Sequence, residues 1–315
     1  MKSMKKIASV FALAVSMNLH AGTIKDDAGR EVEMPDEVQQ VVGGHDALIT
    51  LSLYELGFDV VGTFGRKDPV SGDWSVFGLK EIFNVTAKEA GMSPIGSYDG
   101  PDMEGMKKLS PDLIVLPEGT EAQADMLEDI APEFIQNTFS NGVYGLSAQR
   151  EMAERFGARD KHDKLQAEYE ARVADIRSHL PFNPEEKEFV AVIVLDQISV
   201  ANGLSGMMQA MTDLGFKQPK WLKDTGFLVP LSPERIADID TDLLLMMPAY
   251  VLPDRSEKIT RGLLDKLAPG WELAIEADNK GNMIMADSLH LVTPTYAAAH
   301  NTLDLIEKHY GLNKK

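Results

Sequence analysis

Residues 159–180 constrain this chain more than any other stretch. Their apolar side chains fall at Leu165, Tyr169, Val173, Ile176 and Leu180. That spacing draws one stripe along one face of a helix. Gly157 suits the end of a preceding helix, Asp160 can cap the new start, and Pro181 and Pro184 forbid continuation. At 1.5 Å per residue the rod is roughly 33 Å long, which is long for a globular helix. Similar patterns lie on both sides of it, so the stretch reads as a rigid strut between two related lobes.

The repeat has a fixed spacing. Glu104 is followed by Leu109, Asp112 and Leu113, and Glu234 at the same offsets by Ile239, Asp242 and Leu243. Each set reads as a helix, a turn holding an acid, then a strand. Upstream lie two matching helix ends, Glu55-Leu56-Gly57-Phe58 and Asp213-Leu214-Gly215-Phe216.

Short apolar runs alternate with helical periodicity along the rest of the chain. Strands are expected at 38–42, 60–62, 113–116, 133–136, 189–195, 198–201, 227–231, 243–246 and 283–286. Helices are expected at 46–56, 79–83, 102–109, 122–130, 146–156, 205–214, 233–239, 257–267 and 296–310. Such alternation implies an α/β fold with mostly parallel sheets. Residues 64–94 show little periodicity beyond 79–83, and a loop this long is usually functional.

Lys2, Lys5 and Lys6 precede an apolar run from Ile7 to Met17, and Leu19-His20-Ala21 offers a small residue before Gly22. Residues 1–21 therefore read as a cleavable secretory signal, too short to span a membrane. The expected division is then 22–145 as the N-terminal lobe, 146–181 as linker helices and 182–315 as the C-terminal lobe. The chain has no cysteine, so an exported form has neither disulfides nor a lipid anchor on cysteine. A periplasmic monomer is the expectation. The formal net charge of −18 argues against nucleic acid as a partner.

The segments 102–115 and 232–244, each carrying the acid-then-strand pattern, resemble the paired signatures of the substrate-binding proteins of bacterial importers for iron-siderophores, haem and cobalamin. The resemblance runs over nearly the whole chain after the signal. It implies two Rossmann-like lobes joined by a single long helix, a ligand cleft between them, and only small lobe movements. Gly44-His45-Asp46 and the stretch from Glu55 to Arg66 are similar to the opening of siderophore-binding members. Trp221 lies where hydroxamate-siderophore binders carry a cleft tryptophan. The turn Gly96-Ser97-Tyr98-Asp99-Gly100 departs from them, and its tyrosine looks more like that of haem binders, where such a tyrosine ligates iron.

In an open α/β sheet the loops beyond the strand C-termini line the ligand crevice. That nominates His45, Arg66, Tyr98, Gln197, Trp221, Tyr250 and His290. A ferric siderophore asks for a cation, aromatic faces and a few orienting polar groups. Arg66, with Lys67 beside it, supplies charge; Trp221, Tyr98 and Tyr250 supply rings; Gln197 supplies a polar group. His45, His290 and Tyr98 are possible iron ligands if the chelate leaves positions open. Histidines 162, 179, 300 and 309 read as solvated helix faces, and Met207, Met208 and Met211 as core.

Carboxylates at helix starts are favoured by the helix dipole, which alone could explain Glu104 and Glu234. The resemblance implies a second role, in which each lobe offers one glutamate to an arginine on a homodimeric or pseudo-dimeric ABC permease. No GxxxxGK[ST], GxSxG, HExxH or CxxC motif is present, so an enzyme is not expected. The function expected is capture of a ferric siderophore for an inner-membrane ABC importer. Haem delivery is the alternative within transport, and a chelate-modifying enzyme the alternative from another class.

Overall fold

Two five-stranded sheets, one on each side of the strut, organise the computed structural model. It describes residues 22–312 apart from 69, 98–99, 141–142, 144, 204, 224 and 277–279. The signal segment and Tyr98 lie outside the described residues. An entry hairpin, β1 (Thr23–Lys25) and β2 (Glu31–Glu33), leads into β3 (Gln40–Gly43), α1 (Leu51–Glu55) and β4 (Asp59–Thr63). A small hairpin, β5 (Arg66–Lys67) with β6 (Trp74–Ser75), precedes α2 (Leu79–Phe83) and β7 (Ser93–Pro94). Then come β8 (Gly96–Ser97), β9 (Gly100–Pro101), α3 (Met103–Leu109), β10 (Leu113–Pro117), α4 (Glu121–Leu127), β11 (Glu133–Gln136) and α5 (Leu146–Phe156). The sheet order is β11-β10-β3-β4-β7, parallel throughout.

The strut is α6 (Arg159–His179). Beyond it the second lobe holds β12 (Phe189–Val194), β13 (Ile198–Ala201), α7 (Ser205–Asp213) and β14 (Leu228–Leu231). After a 3-10 segment, Pro233–Ile239, come β15 (Leu243–Pro248), α8 (Glu257–Leu267), α9 (Trp271–Ala274), β16 (Met283–Met285) and α10 (Tyr296–Tyr310). The order is β14-β13-β12-β15-β16. The mostly parallel pairing expected holds across the first sheet and from β12 through β15 to β16, and the exception is β13, which runs antiparallel to both β12 and β14. Only Leu195–Gln197 separate β12 from β13, far too few residues for a parallel crossover.

Strand periodicity of two sorts the core into layers. Leu113 and Val115 face α1 and α5, while Ile114 and Leu116 face α3 and α4. In the second lobe Leu243, Leu245 and Met247 face α6, α7 and α10, with Met207, Met208 and Met211 in the same layer. Leu244 and Met246 face α8 and α9. Ala47 and Phe77 of the first lobe, with Leu146 at the start of α5, join the second lobe's core, so apolar packing crosses between the lobes.

The stripe on α6 buries Tyr169, Val173 and Ile176, with Leu165 and Leu180 against the same core. Two expectations change. Asp160 sits in the first turn but Ala158 is the cap, with no side-chain bond, so Asp160 acts only through the helix dipole. His162 is buried, because it extends the stripe one heptad back from Tyr169, and its Nε2 meets the Tyr296 hydroxyl at 3.2 Å. Tyr169 donates to Asp213 at 2.7 Å.

The repeated acids have a structural job. Asp112 Oδ2 accepts from the backbone N–H of Gln40 at 2.8 Å, at the start of β3. Asp242 Oδ2 accepts from Glu188 N–H at 3.0 Å, just before β12. Each acid thus ties the neighbouring strand's beginning to its own turn.

Candidate ligand-binding cleft

At the C-terminal end of β3 the chain turns through Gly44. A Cβ there would meet Leu116 Cδ2 at 2.3 Å and the Val115 carbonyl at 3.1 Å, so only glycine allows this approach to β10. His45 then caps a π-helical turn, Asp46–Thr50, its Nδ1 accepting from the amides of Ala47 and Leu48, both at 3.2 Å. With Nδ1 used as an acceptor, the ring proton belongs on Nε2. The Nδ1 atom is thus occupied by the helix start. Burial pushes its pKa down to about 4; Asp46 opposes that shift and Arg66 adds to it.

Asp46 is buried and grips Arg66, whose Nε lies 2.6 Å from Oδ2. The guanidinium also lies 4.6 Å over the Phe77 ring. The pair therefore pins the β5–β6 hairpin and the start of α2 onto the β3 turn. It also neutralises much of the charge that Arg66 would otherwise offer an anion.

A cavity of about 1070 Å³ opens between this region and the second lobe. Arg66, Trp74 and Phe77 line it from the first lobe, Tyr250 and Arg255 from the second. Phe77 and Tyr250 meet edge to face across the lobes, centroids 4.9 Å apart. Arg255 donates to Asp287 at 2.8 Å and to the Leu252 carbonyl at 2.8 Å, and lies 3.8 Å from Glu81 of the first lobe. The buried Trp74 Nε1 has no hydrogen-bond partner. Ring faces and largely balanced charge suit a bulky, modestly charged guest with an apolar rim.

A second interlobe contact is made by Phe139, after β11, and Phe227, before β14. Their centroids are 5.2 Å apart, yet the residues remain 44% and 43% exposed. Glu118 holds the first ring in place, accepting from Phe139 N–H at 2.7 Å and from Thr138 and Ser140. A groove of about 830 Å³ also runs along α6. Much of its polar lining is engaged internally, as in the Tyr169–Asp213 and His162–Tyr296 bonds. Among the described residues no group of three or more His, Asp or Glu is arranged to hold a metal ion.

The family model described as periplasmic binding protein matches residues 65–267, well over half of the chain. The chain belongs to the periplasmic binding protein family. That family is a non-enzymatic component of transport. Solved structures share the fold of this binding protein. Staphylococcus aureus SirA complexed with staphyloferrin B has a TM-score of 0.70 at 18% identity, covering 92% of this chain and 97% of that one. Bacillus subtilis FeuA complexed with ferri-bacillibactin has 0.70 at 16%, covering 93% and 99%. A FhuD fold-family component of a ferrichrome ABC transporter from Bacillus subtilis has 0.68 at 19%, covering 91% and 99%. A search of curated proteins finds no match.

The remaining nominated residues of this periplasmic binding protein are dispersed. Arg66 and Tyr250 line the cavity, and His45 is tied to Arg66 through Asp46. Gln197 is exposed in the β12–β13 turn. His290 ends a short 3-10 turn beside the cavity residue Leu289, its carbonyl bonded to Asn301 at 2.9 Å. Trp221 packs on the outer layer of the second lobe, under Arg235 at 5.8 Å, and is not among the cavity's lining. Glu104 and Glu234 are exposed in the first turns of α3 and of the Pro233–Ile239 segment. The reading of the sequence missed Asp46, Trp74, Phe77, Arg255, Phe139 and Phe227. Four of these follow a strand end or lie in the long 64–94 stretch, which was the available signal.

Proposed function

We propose that this protein captures a ferric siderophore in the periplasm and delivers it to an inner-membrane ABC importer. The interlobe cavity carries the reading: about 1070 Å³, ringed by Trp74, Phe77 and Tyr250, with Arg66 and Arg255 each partnered by carboxylates. That balance fits a modestly charged hydroxamate or α-hydroxycarboxylate chelate better than a triply charged catecholate. The three structural neighbours above, two of them complexed with staphyloferrin B and ferri-bacillibactin and one a component of a ferrichrome transporter, support the ligand class. The lysine-then-apolar leader supports export by a cleavable signal. Glu104 and Glu234, exposed and placed alike in the two lobes, are read as the contacts offered to the permease.

Tryptophan-fluorescence titration with a panel of ferric siderophores and haem tests the reading. A ferric chelate should quench saturably, and Trp74→Phe should remove most of the quenching while Trp221→Phe removes little. Binding of haem alone, with a tyrosinate-iron spectrum abolished by Tyr98→Phe, would replace siderophore by haem.

A further inference from the structure

The interlobe cavity is lined at its mouth by two exposed valines, Val70 of the first lobe and Val251 of the second, 74% and 49% exposed. Singly exposed apolar residues need no explanation, but these two flank one opening from opposite lobes. Neither sits on a slack turn. Asp68 accepts from the amides of Val70 and Ser71 at 2.9 and 2.7 Å, and its own amide bonds the Asp73 carbonyl at 2.7 Å. Arg255 donates to the carbonyl of Leu252, the neighbour of Val251. The two turns are also drawn together, because the Asp68 carboxyl is held below its ordinary range by the Ser71 and Val70 amides and by Arg255 across the mouth. Both valines are thus displayed before any guest arrives, so little ordering opposes contact with them.

Behind these lips the wall is aliphatic. Val76, Leu79 and Met92 are buried in it, Val85 is half-buried, and Leu289 closes it from the second lobe. Trp74 Nε1 is pressed against Gly65, whose Cβ would lie 2.3 Å from it, so it offers this wall no donor. The head of an iron chelate presents oxygens, and aliphatic side chains cannot pair them. An alkyl chain needs no such partners, and each methylene it takes out of water stabilises the complex. At about 1070 Å³ the cavity lies at the upper end of what a drug-sized ligand fills, so a head and a chain fit together. We propose that the guest is an amphiphilic ferric siderophore, whose head meets Phe77, Tyr250 and the paired arginines while an alkyl or acyl chain lies along Val76, Leu79 and Met92 and leaves between Val70 and Val251. This rests on the siderophore reading above and narrows its ligand class.

Isothermal titration calorimetry with matched pairs tests this. The probes are the acetyl and decanoyl forms of one ferric trihydroxamate and of one ferric citrate-based chelate, each below its critical micelle concentration. Within a pair the head and its charge are the same, and only the chain differs. For whichever head binds, the decanoyl form should bind about ten-fold tighter or more than the acetyl form. Val70→Asp and Val251→Asp should each remove most of that gain, leaving the acetyl affinity and the urea midpoint unchanged. Met126→Asp, at an exposed position that does not line the cavity, should keep the gain. Equal affinities within a pair, or a gain that survives in the double valine variant, would overturn the chain's place and leave the siderophore reading standing. If none of the four probes binds, both fall. Decanoic acid binding as tightly as the decanoyl chelates would make the cavity a fatty-acid site and overturn both.

Discussion

Glu55, at the end of α1 in the first lobe, accepts the backbone N–H of Tyr296 at 2.8 Å and so caps the last helix of the second lobe. The same carboxylate accepts from Ala297 N–H at 2.7 Å and from Gln149 of α5 at 2.7 Å. Burial raises its pKa, and these hydrogen bonds oppose the shift. Three helices from both lobes therefore converge on one side chain. Glu55→Ala would orphan two amides at a buried helix start, although Thr295 still caps Ala298. The expected loss is about 2–3 kcal/mol of unfolding free energy, read from urea denaturation. Amide exchange at Tyr296 and Ala297 should accelerate in the same variant.

The cap and the strut together predict limited motion. Helices bend sharply at prolines or bulges, and α6 contains neither. X-ray scattering curves with and without ferric siderophore should nearly overlay. A fall in radius of gyration of more than about 1 Å on binding would mean that the lobes swing about a hinge this fold does not provide.

His45 gives the stability a pH dependence of known sign. The unfolded imidazole takes up a proton near its ordinary value of 6.5, whereas the folded one resists until about 4. The unfolded state therefore binds more protons between those values, and stability falls as pH falls through that window. The loss at the acid end is at most about 3 kcal/mol. His45→Asn keeps a cap acceptor without a titrating ring, so its urea midpoint should be flatter between pH 6.5 and 4. Parallel slopes in the two proteins would assign the acid sensitivity elsewhere.

Asp112→Ala and Asp242→Ala should each cost about 1–2 kcal/mol, the worth of bonds tying a strand start. The acids belong to separate sheets with no shared partner, so the double variant should lose the sum. Ligand affinity should stay unchanged in all three, because neither acid lines the cavity.

The parts of this molecule legible in sequence are those fixed by local periodicity. The stripe on α6, the strands and the repeated acids all follow from spacing along one segment. The antiparallel β13 was hidden because helix–strand alternation does not report the length of a single turn. Arg66 was visible as a cation in a long loop, but its partner Asp46 lies twenty residues away, and their pairing changes what the arginine can do. Trp221 was assigned by resemblance to the cleft, yet its apolar neighbours Leu222 and Ile236 draw it onto the outer layer. Phe139 and Phe227 come from different lobes, and no pattern in either segment announces their contact.

The Arg66–Asp46 pair allows the sharpest test of how charge is used in the cleft. A solvent-facing arginine that anchored an anionic chelate would, on removal, reduce affinity and leave stability alone. Here the guanidinium is already bonded to a buried carboxylate and stacked on Phe77. Arg66→Ala should therefore destabilise the fold, because Asp46 stays buried without its cation. About 1–2 kcal/mol is expected, since the arginine side chain is 38% exposed and water partly screens the pair. Asp46→Asn should act the other way on binding: it removes the neutralising charge, so an anionic chelate should bind more tightly and more salt-dependently. In the double variant Arg66→Ala with Asp46→Asn, the orphaned charge is gone and the stability loss should be smaller than the sum of the single losses. Denaturant unfolding and fluorescence titration at two salt concentrations read both effects. Additive stability losses, with affinity falling equally in Arg66→Ala and Asp46→Asn, would mean that the two side chains act on the ligand independently.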